Sequence, residues 1–206
     1  MTAPRRALVV IDVQNEYFTG QLPIEHPPVA TSLPNILAAM DAATAAGIPV
    51  VKVQHLAPAG APIFNRGTPG FELHAEVARR PHALAFEKTQ ASVFAGTGFA
   101  DWVREQAIDT LTIVGYMTHN CDLATVMHAA QLGLKAEVLS DASGSLPYAN
   151  AAGRASAEEI HRVVTVVLNS NFAGVGTTAQ WQAAVAAGEA LPVDNVFLSN
   201  QRGRAG

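Results

Sequence analysis

Three polar residues stand at or just after the ends of apolar stretches, and together they could carry out covalent hydrolysis. Asp12 ends the stretch "ALVVID", Lys88 ends "ALAFEK", and Cys121 follows "GYMTHN". A thiolate is a nucleophile, a carboxylate can accept and return a proton, and an ammonium stabilises both anions. If the apolar stretches are strands that end at one edge of a sheet, we expect these three side chains to meet there.

Each of the three residues also has a purely structural interpretation. A lone cysteine in an apolar protein is commonly a small buried hydrophobic residue. An aspartate at a strand end often caps the following turn, and a lysine there often extends past apolar neighbours to solvent. Cys121 is expected to open a helix, so the helix terminus and Lys88 should lower the pKa of its thiol, with Asp12 acting against them.

The elements that must position these residues follow from the hydrophobic pattern. Six stretches rich in β-branched residues alternate with amphipathic segments, at residues 7–13, 49–55, 83–88, 110–116, 135–142 and 172–178. Near-continuous apolar stretches of this length are typical of strands buried on both faces. The alternation predicts an α/β fold with a parallel sheet that is covered by helices on both sides.

Ligands of such sheets bind outside the carboxyl ends of the strands. The polar residues expected at those ends are Asp12, Gln14, Asn15, Gln54, His55, Lys88 and Asp141, together with the segment "GYMTHNC". Residues 56–82 interrupt the alternation with four prolines and three glycines. A connection of this length inside a domain is usually functional, so we expect it to build much of the substrate pocket.

Helix boundaries are indicated by capping residues. Ser156 and Glu159 match a capping box before apolar residues at helical spacing. Two further helices are expected at residues 121–133 and 32–47, because a glycine closes each pattern and Ser32 precedes the second one. Residues 192–206 have no periodic pattern and are expected to be loose or to lie against a neighbouring subunit.

Composition narrows the class of protein. The chain has 206 residues, of which 49% are apolar and 15% charged, and its net charge is −4. These values predict a globular domain without a nucleic-acid footprint. No apolar stretch approaches the roughly 20 residues of a membrane helix. A single cysteine excludes an internal disulfide and a zinc site built on cysteine pairs. Asp12 interrupts the first apolar stretch too early for a signal peptide, so we expect a cytoplasmic protein.

Three segments, "VVIDVQNEYF", "EKTQASVFAGT" and "GYMTHNCDLAT", in this order and spacing, resemble the isochorismatase-like cysteine hydrolase superfamily. That superfamily includes nicotinamidases, N-carbamoylsarcosine amidohydrolase-type enzymes, ureide and biuret hydrolases, and isochorismatases. The resemblance covers about residues 7–187. It implies a three-layer α/β/α, Rossmann-like fold with a six-stranded, mostly parallel sheet, a hydrolase domain over residues 1–190 and a C-terminal tail over residues 191–206.

The resemblance also assigns roles to residues of this chain. Cys121 corresponds to the nucleophile, Asp12 to the general base and Lys88 to the cation between them. A cis peptide is implied between Tyr116 and Met117, with the backbone N–H groups of Met117 and Cys121 forming an oxyanion hole. By their placement near these segments, the candidate substrate-binding residues are Phe18, Gln54, Phe64, His119 and Tyr148. His119 could face the substrate or fill the turn.

The sequence departs from the nicotinamidases at their metal site. Those enzymes carry an Asp-x-His pair near the second strand, where this chain has Lys52, Val53 and Gln54. We therefore expect no metal and no cofactor. The cysteine favours C–N bond hydrolysis of a small amide, ureide or lactam through an acyl-enzyme. The alternatives are an isochorismatase-type vinyl-ether hydrolase and a non-catalytic binding member of the same fold. The resemblance further implies a homo-oligomer, either a dimer or a tetramer, with a small-molecule substrate.

Overall fold

A parallel sheet runs through the centre of the molecule. The computed structural model describes residues 3–205. Its strands are β1 (Arg6–Ile11), β2 (Val50–His55), β3 (Leu84–Lys88), β4 (Thr110–Tyr116), β5 (Lys135–Gly144), β6 (Tyr148–Asn150), β7 (Gly153–Ala155) and β8 (Gly174–Gly176). All but β6 and β7 belong to the six-stranded sheet, while those two form a separate antiparallel hairpin. The six stretches rich in β-branched residues thus correctly predicted the six strands of this sheet.

The order of strands creates a crevice next to β1. The sheet runs β3-β2-β1-β4-β5-β8, and all its pairings are parallel. The chain builds one half of the sheet outward from β1 and then returns to place β4 on the other side of β1. At such a reversal the two neighbouring connections leave the sheet on opposite faces, which opens a crevice at the carboxyl ends.

Helices cover both faces of the sheet and make three layers. They are α1 (Val29–Ala45), α2 (Ala75–Ala78), α3 (Phe99–Glu105), α4 (Leu123–Gln131), α5 (Ala157–Asn169), α6 (Thr178–Ala187) and α7 (Val196–Ala205). Alternate residues of β1 face opposite layers: Leu8 and Val10 pack with residues of α1 and α6, whereas Val9 packs with residues of α3, α4 and α5. This alternation is the reason that β1 is apolar on both faces.

The capping box of α5 is present, because Ser156 accepts from the N–H of Glu159 and Glu159 bonds back to the N–H of Ser156. The helix predicted over residues 32–47 was expected to begin at Ser32, and this start was wrong. That helix, α1, begins at Val29, and Ser32 lies buried inside its first turns. The hydroxyl of Ser32 lies 2.8 Å from the hydroxyl of Tyr116, so this serine serves a tertiary contact instead of a cap.

The C-terminal segment is more ordered than its sequence suggested. Residues 196–205 form α7 instead of a loose tail, and the side chain of Asn195 accepts from the N–H of Leu198 at the start of that helix. Leu191 lies in the core, where its N–H donates to Glu137. Contact of this segment with a neighbouring subunit stays a prediction. Met1, Thr2 and Gly206, which belong to the predicted domain and tail, lie outside the described residues.

No helix within residues 3–205 combines the length and the apolar character that crossing a membrane requires.

Candidate active site

Asp12, Lys88 and Cys121 meet at the carboxyl ends of the strands. The Nζ atom of Lys88 lies 2.6 Å from Oδ2 of Asp12 and 3.2 Å from Sγ of Cys121. The side chains of Asp12 and Lys88 are fully buried, and Cys121 is only 5% exposed. The three residues that the strand ends suggested therefore form one contiguous cluster, with the ammonium between the carboxylate and the thiol.

The backbone turns sharply at Asp12. Its φ of 53° lies in the left-handed region, which L-residues other than glycine rarely adopt. The turn is fixed by hydrogen bonds, since the N–H of Asp12 donates to Val53 and its carbonyl accepts from Gln14. Strained backbone of this kind costs about 1–3 kcal/mol and is concentrated at functional sites. This turn holds the carboxyl group of Asp12 at the carboxyl end of β1.

A glycine allows β4 to approach β1 closely. Gly115 has a φ of 119°, and a Cβ atom there would lie 2.1 Å from the carbonyl oxygen of Ile11. Only glycine fits this position, because both the backbone conformation and the space exclude a side chain. The close approach brings the end of β4, and the turn that carries Cys121, next to Asp12.

Cys121 lies in a helical turn between β4 and α4. The peptide bond between Tyr116 and Met117 is cis, and residues Thr118–Asp122 form a π-helical turn that continues directly into α4. The carbonyl of Met117 accepts hydrogen bonds from the N–H groups of Asn120 and Asp122. Cys121 therefore sits close to the N-terminus of a helical segment, as the sequence indicated.

The expected lowering of the thiol pKa was wrong. Burial and the neighbouring carboxylate of Asp12 raise the pKa of Cys121, and Lys88 offsets only part of this effect. Burial also raises the pKa of Asp12 against the opposing effect of Lys88. For Lys88, burial alone would lower the pKa, but its interactions with Asp12 and Cys121 outweigh burial and raise the pKa. The Lys88 ammonium thus lies between the carboxyl group of Asp12 and a thiol that keeps its proton at neutral pH.

His55 contacts the same cluster, and its role was not anticipated. Its Nδ1 atom lies 3.4 Å from Nζ of Lys88, and its ring meets the ring of Phe64 edge-on, with centroids 5.4 Å apart. Burial and the Lys88 charge lower the pKa of His55, so the ring is neutral. The sequence placed His55 at the end of an apolar stretch, and the structure adds that its partner in the β2–β3 register is Lys88.

The connection between β2 and β3 packs against the segment that follows β1. The N–H of Asn15 donates to the carbonyl of Glu72, and the N–H of His74 donates to that of Val13. Gln14 and Leu73 form an isolated antiparallel bridge. Residues 56–82 are therefore anchored next to Asp12, and their contribution to a substrate pocket there stays a prediction.

Two of the candidate substrate-binding residues are aromatic side chains near this anchor. Phe18 is half-buried and packs on the rings of His74 and Tyr116, with centroids 4.6 Å and 5.9 Å away. Phe64 is buried, and besides His55 it contacts Tyr17 at 5.2 Å. Phe64 thus contacts the ring of His55, which in turn contacts Lys88.

The other three candidates occupy different positions. The amide of Gln54 donates to the carbonyl of Phe71, so it supports the connection between β2 and β3. His119 lies 3.0 Å from the Ser145 hydroxyl through Nδ1, and its ring meets that of Tyr148 edge-on at 5.0 Å. The Nε2 atom of His119 is buried without a hydrogen-bond partner in the described structure. His119 and Tyr148 therefore form one contact pair beside the Cys121 turn.

Asp122 is an unexpected buried carboxyl group. It directly follows Cys121 and is fully buried, and neither of its carboxylate oxygens has a hydrogen-bond partner within residues 3–205 at ordinary bonding distance. Burial raises the pKa of Asp122 to about 7, against an opposing effect of the nearby Ser143 hydroxyl and with a further contribution from Asp12. Its position next to Cys121 was visible in the sequence, but its burial was not.

The position of the nicotinamidase metal pair holds a different interaction. The ammonium of Lys52 donates to the carbonyls of Ala78 and Arg80, 2.8 Å and 2.5 Å away, at the end of α2. Across residues 3–205, no group of three or more His, Cys, Asp or Glu side chains is arranged to hold a metal ion. The donor set of a metal centre is therefore missing from the part of the chain that the structure describes.

Comparison with known proteins identifies the family. A model of the isochorismatase domain matches residues 6–180. The chain belongs to the isochorismatase family. A candidate isochorismatase from Burkholderia xenovorans LB400, whose structure is solved, is 58% identical to this family member. The alignment covers 99% of this chain and 98% of that chain, with a TM-score of 0.98.

Two relatives of this isochorismatase-family protein have names that point to different activities. The secreted isochorismatase effector Isc1 of Verticillium dahliae is 35% identical over 66% of this chain and 71% of its own. A streptothricin hydrolase of Streptomyces noursei is 31% identical over 66% of this chain, which corresponds to 49% of that protein. The family fold is therefore shared by hydrolases whose names indicate different substrates.

Proposed function

We propose that this protein is a metal-independent cysteine hydrolase that cleaves a C–N bond of a small amide, ureide or lactam. The observation that carries the proposal is the position of the Lys88 ammonium, within hydrogen-bond distance of both Asp12 Oδ2 and Cys121 Sγ. A nucleophile, a base and a cation in direct contact are the components that acyl transfer through a thioester requires. The name of the streptothricin hydrolase relative supports hydrolysis as the reaction class.

In the first half of the proposed reaction, Asp12 takes the thiol proton as Cys121 attacks the substrate carbonyl carbon. The Oδ1 atom of Asp12 is free to accept this proton, because it has no hydrogen-bond partner among the described residues. Lys88 stabilises the sulfur anion as it forms. The carbonyl oxygen becomes an oxyanion, for which we propose the N–H groups of Met117 and Cys121 as donors. Asp12 then returns the proton to the leaving nitrogen, the C–N bond breaks, and ammonia or an amine departs.

In the second half, water resolves the thioester. Asp12 removes a proton from the water as its oxygen attacks the thioester carbonyl, and the same donors hold the new oxyanion. The C–S bond breaks, a carboxylic acid is released, and Asp12 returns the proton to the sulfur. The raised thiol pKa fits this cycle, because the resting cysteine keeps its proton until Asp12 removes it during attack on the substrate carbonyl.

The enclosure of the site supports a small substrate. Cys121 is only 5% exposed, so we propose that a substrate reaches it by a narrow approach between the nearby aromatic rings. We propose that Phe18, Phe64 and Tyr148 line this approach and that Gln54 and His119 lie at its polar side. The mixture of apolar rings and a few polar groups is typical of small-molecule sites.

A second reaction is favoured by one observation, the name of the Verticillium relative, which is an isochorismatase effector. In that reaction Asp12 would protonate a vinyl ether, and no covalent intermediate would form. A screen of small amides for ammonia release, run beside an assay on isochorismate, separates the two. Ammonia release that disappears in Cys121→Ala supports the proposal. Turnover of isochorismate alone, undiminished in Cys121→Ala, would favour the vinyl-ether reaction over amide hydrolysis. If neither substrate is turned over, the protein is a binding protein.

We also propose that the protein is a homo-oligomer. Large apolar side chains are exposed on α5 at Val163, Val166 and Val167 and on α7 at Val196 and Phe197. The two helices are adjacent, since Val166 and Ser199 line one groove of about 300 Å³. Clusters of exposed apolar side chains on adjacent helices are characteristic of protein–protein contacts. Analytical ultracentrifugation should find a dimer or a tetramer, and a monomer at micromolar concentration would contradict this.

A further inference from the structure

The ammonium of Lys88 has three N–H groups and three acceptors within reach. Asp12 Oδ2 lies at 2.6 Å, Cys121 Sγ at 3.2 Å and His55 Nδ1 at 3.4 Å. The proposed mechanism uses the first two of these contacts and leaves the third unexplained. A buried ammonium needs a partner for each N–H, because an unsatisfied buried donor is costly.

The ring of His55 is held in place from several sides. The side chain of the fully buried Gln14 accepts from the N–H of His55 at 2.8 Å and donates to its carbonyl at 3.0 Å. The β2–β3 register places His55 beside Lys88, and the edge-on contact with Phe64 limits rotation of the ring. The backbone and the ring face of His55 are therefore fixed independently of any substrate.

We propose that His55 is a positioning residue, whose Nδ1 atom accepts the third N–H of Lys88 and thereby fixes the ammonium between Asp12 and Cys121. This role requires the neutral tautomer with the proton on Nε2, because only an unprotonated Nδ1 can accept. The charged groups that act on the ring are Lys88 and Asp12. The proposed function supplies the reason that the position of Lys88 matters, but the contact itself can be tested without a substrate.

The positioning role of His55 follows from the contacts that Lys88 keeps with Asp12 and Cys121. An ammonium with one unmatched N–H can rotate about its Cε–Nζ bond and tilt toward other acceptors. Either movement weakens its contact with the sulfur as the thiolate forms. His55 removes this freedom by completing the set of three acceptors. No hydrogen bond joins its ring to the nucleophile or the base among the described residues, so its side-chain hydrogen bond to the cluster is the one with Lys88.

Cys121 is the only cysteine of the chain, so alkylation by iodoacetamide, followed by intact mass, reports on this thiol alone. In His55→Leu the acceptor is lost, and we expect alkylation at pH 8 to slow by about tenfold, the consequence of one unsatisfied buried N–H. His55→Asn places an amide oxygen near the position of Nδ1 and should restore the rate. His128→Asn is the matched control, since His128 is also half-buried and contacts Ser92 through Nδ1.

Nitrogen NMR gives a second measurement, and its first result, on the unmodified protein, needs no variant to fold. It should find His55 as the Nε2–H tautomer, and in Lys88→Met the pKa of His55 should rise, because the repulsion of Lys88 is lost while the attraction of Asp12 remains. An Nδ1–H tautomer, or equal alkylation rates in the parent and a folded His55→Leu, would overturn the assignment. If every amide in the screen is inert but these results hold, the positioning role stands and only the proposed function fails.

Discussion

The Nζ atom of Lys88 lies 2.6 Å from Oδ2 of Asp12, and neither side chain has any exposed surface. Removing two charges from water is expensive, so a buried ion pair often contributes little to net stability. Asp12 also adopts a left-handed backbone conformation that is unfavourable for an aspartate. The proposed reaction gives a reason for two such costs at one position, because it needs a base and a cation held beside the buried thiol of Cys121.

Replacement of Lys88 by Met should raise the apparent pKa of the Cys121 thiol further above its ordinary value. Lys88 is the group that lowers this pKa, against burial and Asp12. Each pKa unit corresponds to about 1.4 kcal/mol of lost preference for the thiolate. The pH dependence of iodoacetamide inactivation measures the shift. Superimposable curves for the parent and the variant would mean that Lys88 has no part in activating the thiol.

Replacement of Asp12 by Asn should separate thiol reactivity from turnover. The Asp12 charge raises the thiol pKa, so its removal should lower that pKa and make alkylation of Cys121 faster at neutral pH. Amide turnover should nevertheless fall by about 10²- to 10⁴-fold, because no group remains to carry the proton to the leaving nitrogen. Alkylation and steady-state rates are measured on the same preparation. Turnover that survives in Asp12→Asn would assign the base to another residue.

Metal removal should leave activity unchanged. Lys52 stands where an aspartate ligand would be expected, and its ammonium is bound to the carbonyls of Ala78 and Arg80. Dialysis against a strong chelator, followed by elemental analysis, should therefore yield a fully active protein without stoichiometric zinc, iron or manganese. Loss of activity that one added metal restores would refute this expectation.

Replacement of Asp122 by Asn should stabilise the protein at alkaline pH. The pKa of Asp122 is about 7 in the folded protein, against 3.8 for an ordinary aspartate. A raised folded-state pKa means that its contribution is favourable below about pH 4 and is lost as the pH rises to 7. Above pH 7 the parent should be less stable than Asp122→Asn by up to about 4 kcal/mol.

Urea unfolding of both proteins between pH 4 and pH 8.5 measures this difference. Asp101→Asn serves as the control, since the Asp101 side chain is 67% exposed. A stability gap between Asp122→Asn and the parent that stays constant over this range would show that Asp122 does not titrate as described.

Much of the fold could be predicted because the hydrophobic pattern is local. The apolar stretch that forms β1 faces helices on both sides, and the capping box of α5 is complete within four residues. The start of α1 was missed because Ser32 looks like a cap, whereas its hydroxyl contacts Tyr116, which is 84 residues away. Helix α7 was missed because its apolar residues do not line one face and none of its residues is buried.

The candidate site could also be predicted only in part from the sequence. The cluster of Asp12, Lys88 and Cys121 could be inferred from strand ends, since parallel strands end at one edge of a sheet. The direction of the thiol pKa shift could not, because it depends on burial that only the folded structure reveals. The contact of His55 depends on the register between β2 and β3, which a single sequence does not determine.

The proposed hydrolysis depends most directly on a covalent bond between the substrate and Cys121. Intact mass spectrometry of the protein, acid-quenched during turnover of an amide found by the screen, measures this bond. We predict an added mass equal to the acyl part of the substrate, located on the peptide that contains Cys121. In Cys121→Ala, which removes little volume and should leave the fold intact, both this adduct and ammonia release should disappear. Undiminished turnover by Cys121→Ala, with no adduct on the parent protein, would contradict the account.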